Sequence, residues 1–428
     1  MNVEDMILVS VDDHVVEPPN LFEGRLPDKY KDSAPKLVHK DNDTDVWLYQ
    51  GQELPNVGLN AVVGRPLNEY GIEPTSLAEL RSGCYDIHER VRDMSANGVL
   101  GSVCFPSFPQ FCGQLFAKTK DKDLGLTLLQ AYNDWHIEDW CGAYPERFIP
   151  NCLVPIWDPE LMAAEVRRLE SKGCHSVSFS ENPAKLGYPS LHSDHWDPFW
   201  SACEDEGTVV NLHIGSSSQL VITADDAPMD VLITLQPMNI VQAAADLVWS
   251  PIFRKFPTFK FSLIEGGIGW IPYFLERVDY TYQRHHTWTG QDFGDRLPSQ
   301  VFKERVITCF IDDPVGIRNR HAVGLDNITW ECDYPHSDCT WPTSPEDLAK
   351  SLDGVPADEA AKITHLNVMK HYRYDPFQQR PKERCTVGAL RAEAADVDTS
   401  VRSRTKRYDE RGTLASDLAA GRVHGQGS

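Results

Sequence analysis

No stretch of the 428 residues approaches the roughly 20 consecutive apolar side chains that a bilayer-crossing helix needs, so a membrane-embedded chain is not expected. The N-terminal "MNVEDMILVSVDDH" lacks a basic region, an apolar region and a small-residue cleavage site, which points to the cytoplasm. The 11 cysteines contain no CxxC pair and no zinc-finger spacing, so they read as reduced packing residues rather than a disulfide framework. Lys/Arg-rich blocks are also missing, and the formal net charge is −22. Nucleic acid is therefore not an expected partner, because phosphates need clustered cations. What is present is 41% hydrophobic and 24% charged residues, enough for a large core under an acidic, solvated surface.

Short β-branched runs alternate with longer helical patterns from about residue 7 to about residue 340. Eight strands are expected, at 7–14, 99–107, 148–156, 174–180, 208–215, 259–267, 306–311 and 327–336. The helical stretches between them include "PELMAAEVRRLESKG" and "LQPMNIVQAAADLVWSPIFRKF". Strands separated by helices run parallel, and eight of them predict a closed (β/α)8 TIM barrel within residues 1–377. Two segments break the pattern. Residues 18–85 are rich in Pro, Gly and Asn and contain "DVWLYQGQELP", a hairpin signal, so they are expected to cap the barrel mouth. Residues 378–428 carry too few large apolar residues for a core and are expected to be a polar C-terminal tail, either disordered or an arm on a partner subunit.

In such a barrel the active site lies at the C-terminal strand ends, so polar residues there form a list of candidates. Strand one ends in Asp12, Asp13 and His14, followed by Glu17; strand five ends in His213; strand six in Glu265; strand eight in Asp333, followed by His336 and Asp338. Alternation along a strand aims Asp12 and His14 the same way and Asp13 the other. Imidazole nitrogen and carboxylate oxygen suit Zn, Fe or Mn, and Asp12, His14, His213 and Asp333 would complete one such site. Burying that many acids without a cation is costly.

The segments "VDDHVVEPP", "NLHIG", "EGGIGW" and "ECDYPHSDCTWP" resemble the amidohydrolase superfamily, specifically the amidohydrolase-related branch that includes aminocarboxymuconate semialdehyde decarboxylase. The resemblance spans about residues 5–377 and implies a catalytic divalent metal on Asp12, His14, His213 and Asp333, with Asp12 where the family often has His. It also implies a departure. The decarboxylases carry a catalytic His before a glycine pair after strand six, whereas "IEGG" places Glu265 there, and a glutamate needs a large pKa shift to serve as an acid near neutral pH.

If Asp333 serves a first ion, His336 and Asp338 could join Glu17 and Glu265 around a second, giving a carboxylate-rich dinuclear site. The resemblance extends to a small group of non-haem hydroxylases, aminoisobutyrate hydroxylase among them, and on that basis a dinuclear Fe/Mn hydroxylase is the favoured expectation. The alternatives are a hydrolase or non-oxidative decarboxylase using a metal-activated water, with Asp333 or Glu265 moving protons and Zn as another metal, and a metal-containing partner subunit of such an enzyme. A small-molecule substrate and an oligomer built through the barrel exterior and tail are expected. Glu331, on the face of Asp333 and one layer deeper, is expected to be buried support. His136, His192, His195, His285, His286 and His321 are expected to be solvated or structural, with His285 and His286 able to approach the mouth. "GGIG" at 266–269 lacks the spacing of a phosphate loop and reads as a tight strand-to-helix turn.

Overall fold

The computed structural model describes residues 2–404. Its main sheet is parallel throughout. In chain order the strands are β1 (Val9–Val15), β2 (Gly101–Pro106), β3 (in two pieces, Phe148–Ile149 and Cys152–Leu153), β4 (Ser176–Ser180), β5 (Val209–His213), β6 (Phe261–Ile264), β7 (Val306–Phe310) and β8 (Ile328–Trp330). Pairing runs from the first piece of β3 through β2, β1, β8, β7, β6, β5 and β4 to the second piece of β3. Only Pro150 and Asn151 separate those two pieces, so the ends of the sheet meet on one strand and the fold is a TIM barrel. Proline has no N–H for the ladder, which accounts for the break.

Helices form where the sequence supplies caps. Asp121 accepts the N–H groups of Asp123 and Leu124 at the start of Lys122–Trp135, and Asp158 does the same for Glu160 and Leu161 before Pro159–Glu170. Side chains alternate between two apolar regions. Val209, Ile307 and Cys309 join the barrel interior, whereas Val210, Leu212, Val306 and Phe310 pack beneath the helices. No single helix among the described residues is long and apolar enough to cross a membrane.

Inside 18–85 the expected hairpin forms between Asp45–Tyr49 and Gln52–Leu54, turning through Gln50 and Gly51 at φ 50° and 76°. Lys36–His39 adds a third antiparallel strand that the sequence reading missed. This segment meets the loop after β8: the Val63 N–H donates to Pro335 O (3.0 Å) and the Asn60 amide to Ser337 Oγ (3.0 Å).

Residues 378–404, expected to be disordered or an arm on a partner subunit, pack on the barrel of their own chain. Val387–Glu393 is a helix whose Val387 and Leu390 are buried, and Val387 N–H donates to Met6 O. Cys385 and Leu390 extend the interior cluster at the closed end of the barrel, and Arg391 forms a double ion pair with Glu346. A few well-placed apolar residues were enough to dock this stretch on its own barrel. The expectation for residues 405–428 lies outside the described residues.

Candidate metal centre

A register shift in the β1–β2 pairing between Ser10 and Asp13 shapes the site. Val9 and Val11 belong to the interior cluster, so strict alternation would send Asp13 inward next. The irregularity flips the parity and turns Asp12 and His14 inward instead. Asp13 is held on the other side by Ser102 Oγ, Ser10 Oγ (3.3 Å) and the Tyr334 N–H (2.9 Å). Beyond β8 the chain leaves the ladder. Asp333 takes φ 58°, its N–H donates to Asp12 O (2.7 Å), and the His14 N–H donates to Tyr334 O (2.6 Å). Non-glycine residues in this region carry strain that the surroundings must hold.

Four expected residues converge. His14 Nε2 lies 3.5 Å from Asp12 Oδ1, 3.3 Å from Asp333 Oδ1 and 3.3 Å from His213 Nε2. His213 Nε2 lies 3.3 Å from Asp12 Oδ2 and 3.5 Å from Glu265 Oε2. His336 stacks on His14 with ring centroids 3.8 Å apart, and its Nδ1 is 2.9 Å from Asp333 Oδ1. Two donor triplets result, Asp12–His14–His213 and His14–Asp333–His336, sharing His14. Phe111 packs against His213 and His14, with ring centroids 4.2 and 5.2 Å away, a wall the sequence reading did not find.

The electrostatics of this cluster are unbalanced without a cation. Both oxygens of Asp12 and of Asp333, Nδ1 of His14 and Nε2 of His336 are buried with no hydrogen-bond partner. Burial, then the charges of Glu331 and Asp333, holds the Asp12 carboxyl well above its usual range. Burial would raise Asp333 too, but His336 and His14 beside it push it well below. Burial also keeps His14 and His213 neutral, the state in which imidazole ligates. The Ile214 carbonyl, 2.6 Å from His213 Nδ1, takes the proton there and leaves the Nε2 lone pair facing the cluster. Ligand atoms around a divalent ion at about 2.0–2.2 Å lie roughly 3–3.5 Å from one another, so the spacings observed fit such an ion.

Three expected positions behave differently from one another. Glu265, at φ 60° and with its side chain 18% exposed, reaches the cluster. Burial and then the charges of Asp333 and Asp12 raise its carboxyl well above the usual range, which is the shift the sequence reading required. Glu17 does not reach it. The chain turns after β1 when the Val16 N–H pairs with Cys84 O, and the two Glu17 oxygens accept the N–H groups of Ser107 (3.0 Å) and Phe108 (2.7 Å). Asp338 is exposed at the rim, because the chain folds back through His336 N–H to Asp333 O, and it belongs to neither triplet.

Around the cluster, Glu331 is buried as expected. Its Oε2 accepts the Glu265 N–H (3.2 Å) and the Cys309 thiol (2.5 Å). Glu181 went unremarked, although it directly follows β4 and the strand-end rule would have found it; it accepts the hydroxyls of Ser216 and Ser217 (2.6 Å to the latter) below His213. His285 and His286 bond within their own helix and belong to neither donor triplet. Asp313 accepts the N–H groups of Ile268 and Gly269, and a Cβ on Gly269 would stand 2.8 Å from Asp313 Oδ1, so "GGIG" is a packed turn.

Known proteins share this fold. No curated protein matches the chain. Among solved structures, an amidohydrolase from Mycobacterium avium subsp. paratuberculosis K-10 superposes with TM-score 0.66 at 20% identity, over 86% of this chain and 99% of that one. A 5-carboxyvanillate decarboxylase from Sphingomonas paucimobilis gives 0.61 at 19% identity, over 86% and 99%. A dihydroxybenzoic acid decarboxylase from Polaromonas sp. JS666, solved with manganese and the inhibitor 2-nitroresorcinol, gives 0.58 at 18%, over 88% and 98%. The amidohydrolase family model matches residues 48–374. That match spans most of the chain, which therefore belongs to the amidohydrolase family, a group of metal-dependent enzymes.

Proposed function

We propose that the chain is a metal-dependent enzyme that cleaves a small carboxylic acid without using oxygen, by decarboxylation in the first instance and by hydrolysis as the neighbouring chemistry. The observation that carries this reading is the buried convergence of Asp12, His14, His213 and Asp333, in which both oxygens of each carboxylate have no hydrogen-bond partner. These four residues would hold one divalent ion, with manganese, iron and zinc all compatible with the donor set. Such an ion, when bound, polarises a substrate oxygen as a Lewis acid.

The chain's own groups divide the remaining work. His213, locked through Nδ1 to the Ile214 carbonyl, presents Nε2 in one fixed tautomer. Burial and the charges of Asp333 and Asp12 raise the Glu265 carboxyl well above its usual range, and a cation held nearby would lower it again. It is thus poised to give a proton at its Oε atoms to a developing carbanion or leaving group. The glutamate in place of the decarboxylases' histidine therefore supports an acid role. His336, beside Asp333 at 2.9 Å, orients that carboxylate. Phe105 and Phe111 line the histidines and exclude water. The solved 5-carboxyvanillate and dihydroxybenzoate decarboxylases of the same fold lend this reading further support.

A second reading, oxygen-dependent hydroxylation at two Fe/Mn ions, is favoured by one observation, the second triplet His14–Asp333–His336. It loses support because Glu17 is committed to backbone N–H groups and Asp338 faces solvent. One experiment separates the two. Manganese-loaded protein is incubated under argon with 5-carboxyvanillate, 2,6-dihydroxybenzoate and small amino and hydroxy acids, and carbon dioxide and hydrolysis products are measured. Anaerobic turnover supports the first reading; product formed only with stoichiometric oxygen consumption supports the second.

A further inference from the structure

The loop that carries Asp333 and His336 is flanked by two cysteines, Cys332 and Cys339, whose Sγ atoms lie 3.5 Å apart. Both are buried, at 2% and 7% exposure. Neither has a strong competing partner. Cys332 Sγ has Asn97 Nδ2 and Ser344 Oγ at 3.6 Å, and Cys339 Sγ receives the Trp341 N–H at 3.3 Å. The loop already doubles back between them, with His336 N–H on Asp333 O (2.9 Å) and Cys339 N–H on His336 O (3.3 Å). The sulfurs therefore face each other while the ligand atoms occupy the cluster.

We propose that Cys332 and Cys339 form a reversible disulfide that locks the ligand-bearing loop. With hydrogen peroxide as oxidant, two S–H bonds break, one S–S bond forms, and the peroxide is reduced to two waters that carry the two thiol protons. The sulfurs close from contact to a bond of about 2.05 Å, a movement of roughly 1.5 Å shared between two side chains. The bond restricts the open forms of the loop more than the closed one, because the closed form already holds the sulfurs together. Oxidation thus slows escape of an ion from Asp333 and His336; this last step rests on the metal reading above, whereas the pairing of the cysteines does not.

The test uses the full chain loaded with manganese and treated with dilute hydrogen peroxide. Free thiols are then alkylated, and the protein is digested without reductant for peptide mass analysis. The expected result is a Cys332–Cys339 linkage, reversed by dithiothreitol and absent from both Cys339→Ser and Cys332→Ala. Manganese release to excess EDTA is expected to slow at least about threefold on oxidation in the wild type and not in the variants. Cysteines linked in any other pairing, both sulfurs still alkylatable after oxidation, or release unchanged or faster in the linked protein would overturn the proposal. The linkage is read in metal-free protein as well, so a chain that binds no manganese contradicts the metal reading without removing the cysteine pairing.

Discussion

His14 Nε2 and His213 Nε2 face each other across 3.3 Å from strands one and five, with an oxygen of Asp12 3.3–3.5 Å from each. Two neutral imidazoles and an unpartnered carboxylate at this spacing make a poor buried contact on their own and a good coordination shell. Asp12→Asn keeps the volume and removes one charge. Manganese affinity is expected to fall by at least about 10–100-fold, the scale seen even for outer-shell losses. The metal-free variant is expected to unfold at equal or higher temperature, because an uncompensated buried acid has been removed. Equilibrium dialysis and a melting curve check both, and unchanged affinity takes Asp12 out of the centre.

On the proposed reading, Glu331 positions Glu265. Its Oε2 holds the Glu265 N–H at 3.2 Å while Glu265 sits at φ 60°. Glu331→Leu removes that acceptor and is expected to cost about 1–3 kcal/mol of stability, the penalty of an unsatisfied buried donor. Turnover falls while metal content stays at the wild-type level. Loss of metal together with turnover would place Glu331 among the ligands instead.

Glu17→Ala provides the opposite control. Two backbone N–H groups, on Ser107 and Phe108, lose their acceptor, so stability is expected to drop by about 1–3 kcal/mol. Metal stoichiometry should not change. A variant that loses one ion of two would restore Glu17 to a dinuclear site.

Acid sensitivity has a source remote from the site. Burial lowers His136, His365 and His371 to about 4. The unfolded chain binds protons at these positions from about pH 6.5 downward, the folded chain only from about pH 4. Stability is therefore full above pH 6.5 and is lost as pH falls through that window. Each histidine contributes about 1.4 kcal/mol of loss per pH unit across it. Denaturant unfolding at pH 7 and pH 4.5 reads the difference, and His136→Gln should flatten the profile; an identical slope in the variant contradicts the assignment.

Much of this was legible in the sequence. The alternation of strands and helices gave eight strands because parallel strands buried on both faces leave an unmistakable apolar run, and strand-end polarity pointed to Asp12, His14, His213 and Asp333. Glu17 was misread for a physical reason. Alternation holds only while the strand lasts, and the chain leaves β1 at Val15. The parity flip that turns Asp12 inward depends on a register irregularity with no local sequence mark. The docked helix Val387–Glu393 was hidden because its few apolar residues gain their value from partners such as Met6, far away in the chain.

The most direct measurement is elemental analysis of protein purified without added chelator, wild type alongside Asp333→Asn. The account predicts close to one divalent ion per wild-type chain and almost none in the variant, with both folded by circular dichroism. Full metal content in Asp333→Asn, or a folded wild type that retains no divalent ion even after incubation with manganese, would contradict it.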